Sequence, residues 1–202
     1  MKHIIKNSKG FTLIELLVVI AIIAILAVAV ILTLNPAELL KQARDSTRVS
    51  DLSTLKSAIS LYLADVSSPN VSSSCSISVV SSTNLGFGPP GTCGRYNQSS
   101  TPSQQSGTFG VSGNGWVPIN FNSLSSGAPI SNIPRDPSNS TGTATSPAVL
   151  YYSYSASNTS TVFELDATME STKYSANGGS DVVTTDGGSS LTLYEVGTYL
   201  SQ

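Results

Sequence analysis

The chain has 202 residues, of which 40% are hydrophobic and 11% charged, with 10 Lys+Arg against 12 Asp+Glu for a formal net charge of −2. That length fits one or two domains, and the near-neutral balance argues against a basic nucleic-acid binder or an acidic tail. The only histidine is His3, which excludes a Ser-His-Asp or Cys-His catalytic pair and a multi-histidine zinc site, so no catalytic residue is assigned and the chain reads as a structural protein.

The charges are unevenly spread. Lys2, Lys6 and Lys9 lie in the first ten positions, and the next 24 contain one charge, Glu15. Residues 16–32 carry no polar side chain, and residues 11–34 are predominantly apolar without Gly or Pro. A helix needs about 20 apolar residues at ~1.5 Å each to cross a bilayer, so this segment suffices. The lysines ahead of it place the N-terminus in the cytoplasm and the bulk of the chain outside. A secretory signal would have a shorter apolar run and a small-x-small cleavage site, and a soluble core helix would show periodic polar positions. An ordinary single-pass anchor survives both tests, yet it leaves Glu15 unexplained. An ionisable residue in a membrane helix costs roughly 2.5–3.5 kcal/mol and marks a functional site by default.

Lys9-Gly10-Phe11-Thr12-Leu13-Ile14-Glu15-Leu16 resembles the processing motif of type IV pilins and pseudopilins, in which a short basic leader ending in Gly precedes Phe-Thr-Leu-Ile-Glu and a long apolar helix. The resemblance covers residues 2 to 34 and implies cleavage between Gly10 and Phe11 by a prepilin peptidase, with N-methylation of the new Phe11 amine. It makes Glu15 the assembly residue, the fifth of the mature chain. A buried ammonium and carboxylate are both costly unless paired. Phe11 and Glu15 are one helical turn apart, which permits an intrachain pair. Pairing with a neighbouring subunit would instead set the axial register of a filament.

Asn35-Pro36 marks a break or a restart, because proline removes a helix hydrogen bond but suits the first helical position. From 37 to 66 the residues Leu39, Leu40, Ala43, Val49, Leu52, Leu55, Ile59, Tyr62, Leu63 and Val66 recur at helical spacing and predict an amphipathic helix. Lys41, Asp45, Arg48 and Asp51 fall at spacings of four and three. They are expected to form exposed ion pairs worth a few tenths of a kcal/mol each. Arg44 and Arg48 are too few to argue nucleic-acid binding.

Residues 67–202 form a Ser/Thr-rich head with predicted strands at 76–81, 116–121, 149–155, 161–167 and 191–196. The strand at 161–167 alternates, with Phe163, Leu165 and Ala167 facing the core and Val162, Glu164 and Asp166 facing solvent. The fold class is α+β: a long N-terminal helix, membrane-spanning and then amphipathic, packed on a small antiparallel sheet, as the pilin resemblance also implies. The segments are a leader (1–10), a transmembrane or filament-core helix (11–34), the amphipathic helix (35–66) and the head (67–202).

Cys75 and Cys93 are expected to face an oxidising compartment, where a disulfide across that spacing contributes about 3 kcal/mol; two free thiols are the alternative. Gly178-Gly179-Ser180-Asp181 and Asp186-Gly187-Gly188 make an acidic loop in which Asp181 and Asp186 are calcium candidates, although two carboxylates fall short of calcium's six to eight oxygens. An ordinary turn competes with that reading, and no other cofactor is expected. Pro134-Arg135-Asp136-Pro137 followed by Tyr152-Ser153-Tyr154 resembles, more distantly, a stretch of the major pseudopilins, and two prolines around Asp136 predict a rigid turn.

The resemblance implies a type IV pilus subunit in a homo-oligomeric helical filament. Its partners are a prepilin peptidase that is also an N-methyltransferase, an assembly ATPase and an inner-membrane platform. The chain would lie in the cytoplasmic membrane before assembly and in an extracellular pilus afterwards. The alternatives are a type II secretion pseudopilin and a membrane-anchored extracellular binding domain. No phosphate-binding Gly-Lys motif occurs in the chain, so assembly energy must come from partners.

Overall fold

The computed structural model describes residues 10–71, 75–77, 104–105, 108–139 and 150–200. The chain divides into two compact units, residues 1–39 and 40–202.

The first unit is dominated by α1 (Leu13–Leu34). It stops at Asn35, whose left-handed φ of 40° is a conformation asparagine tolerates better than most residues. Pro36 opens α2 (Pro36–Asp65), its missing N–H costing nothing at a first helical position. The Asn35 carbonyl accepts the amides of Glu38 at 3.0 Å and Leu39 at 3.3 Å, so the chain restarts a helix here instead of ending one.

In the second unit α2 buries Asp45, Arg48, Leu52, Leu55, Ala58, Ile59 and Tyr62, a single stripe at spacings of three and four. The apolar members join Trp116, Ile119, Phe121, Ile133, Tyr152, Tyr154, Phe163, Leu165 and Ala167 in one core. The sheet consists of β1 (Cys75–Ile77), β2 (Gln104–Gln105), β3 (Ser153–Ser157), β4 (Val162–Ala167) and β5 (Tyr194–Gly197), in the order β2-β1-β3-β4-β5. The β2–β1 pair is parallel and every other neighbour is antiparallel. Strands β3 and β4 are joined through residues 158–161, and Thr161 has a φ of 54°.

Three expectations are corrected. Residues 116–121 are not a strand: they carry an isolated bridge between Ser112 and Asn120 and lead into a 3-10 turn at Phe121–Ser123. Pro118 interrupts any ladder, and Trp116 and Val117, adjacent in sequence, are both buried, whereas a two-faced strand would alternate. Trp116 instead anchors the segment, donating its indole N–H to the Pro134 carbonyl at 3.0 Å.

The second correction concerns the charges of α2. Arg48 and Asp45 are completely buried. The Arg48 guanidinium donates Nε to Asp136 Oδ2 at 2.8 Å and Nη2 to Asp136 Oδ1 at 2.9 Å, a bidentate pair. Its Nη1 reaches Asp45 Oδ1 and Glu170 Oε2, both at 2.7 Å. Arg44 adds a second bidentate grip on Glu170 at 2.7 and 3.0 Å. Burial pushes the Glu170 carboxyl upward, but the hydrogen bonds from Arg44 and Arg48 outweigh it and hold it below the usual glutamate range. Asp45 also accepts the Glu170 and Ser171 amides and the Ser171 hydroxyl. The turn between Pro134 and Pro137 therefore presents a carboxylate that ties the loop to α2.

The third correction is on β4, where Glu164 and Asp166 are fully buried, as is Glu195 on β5. Cross-strand partners share a sheet face. Tyr154, Leu165 and Val196 are aligned on the face that meets α2, whereas Ser153, Asp166 and Glu195 are aligned on the opposite one, with Ser155 opposite Glu164 beside them. That second face is polar but covered, in part by the segment around Gly188, where an added Cβ would lie 2.1 Å from Glu195 Oε2. Alternation along the strand is real; only the inference that the polar side faces water fails.

Candidate functional site

The most specific functional signal in the sequence lies at the start of α1, where the helix opens on Thr12. Its backbone is extended, with φ −81° and ψ 151°, and it caps the helix. The Glu15 amide donates to Thr12 Oγ1 at 3.3 Å, while the Thr12 amide and hydroxyl both donate to Glu15 Oε2, at 2.8 and 2.7 Å. This reciprocal arrangement is a capping box. It satisfies helix-start donors that have no partner within the helix and fixes the Glu15 carboxylate at the mouth of the apolar segment. No described residue donates to Glu15 Oε1.

Gly10 and Phe11 immediately precede the cap. Phe11 is 89% exposed, and a Cβ added at Gly10 would meet no atom of the described residues within 4 Å. In the uncleaved chain the Phe11 nitrogen is an amide and carries no charge, so Glu15 takes Thr12 as its partner.

Beyond the cap, Leu13–Ile31 is long and apolar enough to span a membrane, and none of it is buried within the chain. The 14 Leu, Ile and Val residues in that span, at about 0.3–0.6 kcal/mol each, favour insertion by roughly 4–8 kcal/mol. That exceeds the ~3 kcal/mol cost of one ionised residue at a helix centre, and Glu15 sits nearer the end.

The other candidates lie in the second unit. Asp181 spends both carboxylate oxygens within its own turn. Oδ2 accepts the Thr184 hydroxyl and the Asn177 amide at 2.6 and 2.7 Å, and Oδ1 accepts the Thr184 and Val183 amides at 3.0 and 2.9 Å. The Thr184 hydroxyl and amide lead in pulling this carboxyl down to about 2. Asp186 accepts the Gly188 amide at 2.8 Å and the Glu195 amide at 2.7 Å, and burial, aided by the charge of Glu195, pushes its carboxyl upward. The two candidates are thus engaged separately. Cys93 and the side chain of Cys75 lie outside the described residues.

Sequence reasoning missed Thr12 as a site residue, although Thr12-Leu13-Ile14-Glu15 ahead of an apolar run is itself a capping-box signature.

An exposed apolar helix with a capped carboxylate at its start, joined to an α+β head, is consistent with a membrane-anchored protein. Residues 5–31 match the prokaryotic N-terminal methylation motif, the prepilin-type signal of type IV pilins and pseudopilins. This supports a type IV pilin-like or pseudopilin protein and points to a structural one; the motif implies processing by a prepilin peptidase and, with the apolar helix, is consistent with membrane anchoring before assembly. Searches of curated proteins and of solved structures returned no match.

Proposed function

We propose that the chain is a structural subunit of a type IV pilus filament, cleaved after Gly10, methylated on Phe11 and assembled through α1. The observation that carries this reading is Glu15, the one charge in the apolar helix, held by Thr12 with Oε2 engaged and Oε1 open. Cleavage turns the Phe11 nitrogen into an ammonium four residues away. Methylation preserves its charge, and in a water-excluding bundle it needs a carboxylate partner. Among the described residues nothing approaches a Cβ placed at Gly10, and the demand for glycine there is assigned to the peptidase.

In this reading α1 passes from lipid to a packed core of like helices, with its N-terminus on the cytoplasmic side beforehand and the head displayed on the fibre. A Cys75–Cys93 disulfide belongs to the same proposal, since the head would fold in an oxidising compartment. Free thiols titrating in the mature, non-reduced protein would refute that bridge.

The Pro-Arg-Asp-Pro stretch favours a second reading, a type II secretion pseudopilin. Filament yield of Glu15→Ala and Glu15→Gln, at matched membrane levels of the subunit, tests the proposal. Both are expected to fall well below wild type, whereas wild-type yield would sink it. Recovery of the subunit only from cell envelopes, never from sheared surface fibres, would favour the pseudopilin.

A further inference from the structure

We propose that Glu164, Asp166 and Glu195, with the hydroxyl of Ser155, form a binding site for one calcium-type divalent cation on the polar face of the sheet. One carboxylate oxygen from each of the three acids lies within 4.8 Å of the others, and all three side chains are buried. Oxygens bound to a shared calcium at about 2.3–2.6 Å can be no farther apart than roughly twice that distance. The spacing therefore suits ligands of a single ion.

An acidic cluster alone would not carry the argument. The independent observation is Ser155, 5% exposed, whose hydroxyl has no hydrogen-bond partner among the described residues. It lies directly opposite Glu164 on the neighbouring strand, on the same face. Glu195 Oε1 is likewise buried and without a partner among the described residues, while its Oε2 is fixed by the Ser190 amide at 2.6 Å. Asp166 is oriented by the Ser153 hydroxyl at 2.9 Å, and Asp186 holds the backbone of Glu195 from behind. Buried polar groups are nearly always satisfied, and the exceptions call for a ligand or a role. An all-oxygen set of three carboxylates and a hydroxyl matches a hard cation and not zinc or copper. Water and carboxylates binding through both oxygens would complete the shell.

The test uses the full-length chain in detergent, stripped with a chelator and titrated with terbium chloride and then calcium chloride, with thermal unfolding followed in parallel. Wild type is expected to sensitise terbium emission that calcium quenches by displacement. Calcium at about 100 times its dissociation constant should raise the folding equilibrium constant ~100-fold. Glu195→Gln should abolish both effects. Ser155→Ala should weaken calcium binding while leaving metal-free stability unchanged or higher, since it removes an unsatisfied hydroxyl; a purely structural serine would not separate the two readouts. Asp181→Asn should retain binding. Absence of any calcium-dependent shift or terbium displacement in wild type would overturn the proposal, as would binding lost in Asp181→Asn but kept in Glu195→Gln. If Glu195→Gln does not fold, the wild-type titration and Ser155→Ala decide.

Discussion

Replacing Arg48 with alanine probes the joint between α2 and the head most severely. The side chain is wholly buried, donates two bonds to Asp136, and makes one contact each with Asp45 and Glu170. Charge-assisted hydrogen bonds contribute about 1.5–3 kcal/mol each, but these four share one guanidinium and do not add. The better measure is what stays behind: Asp45 and Asp136 remain buried without their cation. Breaking a buried ion pair by removing one partner costs about 3–5 kcal/mol. Asp136 keeps the Ser138 amide and hydroxyl and Asp45 keeps the Ser171 amide and hydroxyl, which places the expectation toward ~3 kcal/mol. Arg48→Lys retains charge but loses the fork and should fall between. Arg44→Ala, at a site one-third exposed, should cost about 1 kcal/mol or less. Chemical denaturation of the full chain in detergent, followed by circular dichroism, reads all three. A loss below ~1 kcal/mol for Arg48→Ala, or equal losses for Arg44→Ala and Arg48→Ala, would refute the reasoning.

Tyr154→Phe removes a hydroxyl that donates to the Val71 carbonyl at 2.7 Å and should cost about 1–3 kcal/mol by the same denaturation. Gly197→Ala should destabilise by roughly 1–3 kcal/mol, because its Cβ would fall 2.1 Å from the Phe163 carbonyl oxygen. Thr161→Asn should stabilise by a few tenths to about 1 kcal/mol, since asparagine tolerates the left-handed backbone there better than a β-branched residue. The folded-state carboxyl of Glu170 lies below its ordinary 4.5, so its contribution is present above that value and is lost as pH falls through the lowered one. Acid titration of the unfolding midpoint should show this loss, and Arg44→Ala should reduce it. Thr12→Val removes the cap that holds Glu15, worth ~1 kcal/mol, and should lower filament yield severalfold at unchanged subunit levels.

Composition made α1 legible, because an unbroken apolar run admits few structures other than a membrane or filament helix. The roles proposed for Gly10, Phe11 and Glu15 rest on the resemblance of residues 9–16 to the prepilin motif, which residues 5–31 match. The stripe of α2 is legible through Leu52, Leu55, Ile59 and Tyr62, but its first expected members, Leu39 and Leu40, are exposed, and the charge spacing assigns Asp45 and Arg48 to the polar face. Continuing the same period backward reaches Arg48 and Asp45, which lie in phase with the core and are buried with it. No local pattern reveals that, because the compensating carboxylates, Asp136 and Glu170, are 88 and 122 residues away in sequence from Arg48. Glu164 and Asp166 were misread for a related reason: alternation reports which side chains share a face, whereas coverage of that face depends on chain arriving from elsewhere. Trp116 and Ile119 have strand-like chemistry, but Pro118 and the indole bond to Pro134 fix an irregular segment.

The most direct test of the central claim is mass spectrometry of the subunit from sheared surface filaments, identified by electron microscopy. The account predicts a mature chain that begins at N-methylated Phe11 and lacks residues 1–10. An intact Met1 N-terminus in assembled filaments would contradict it.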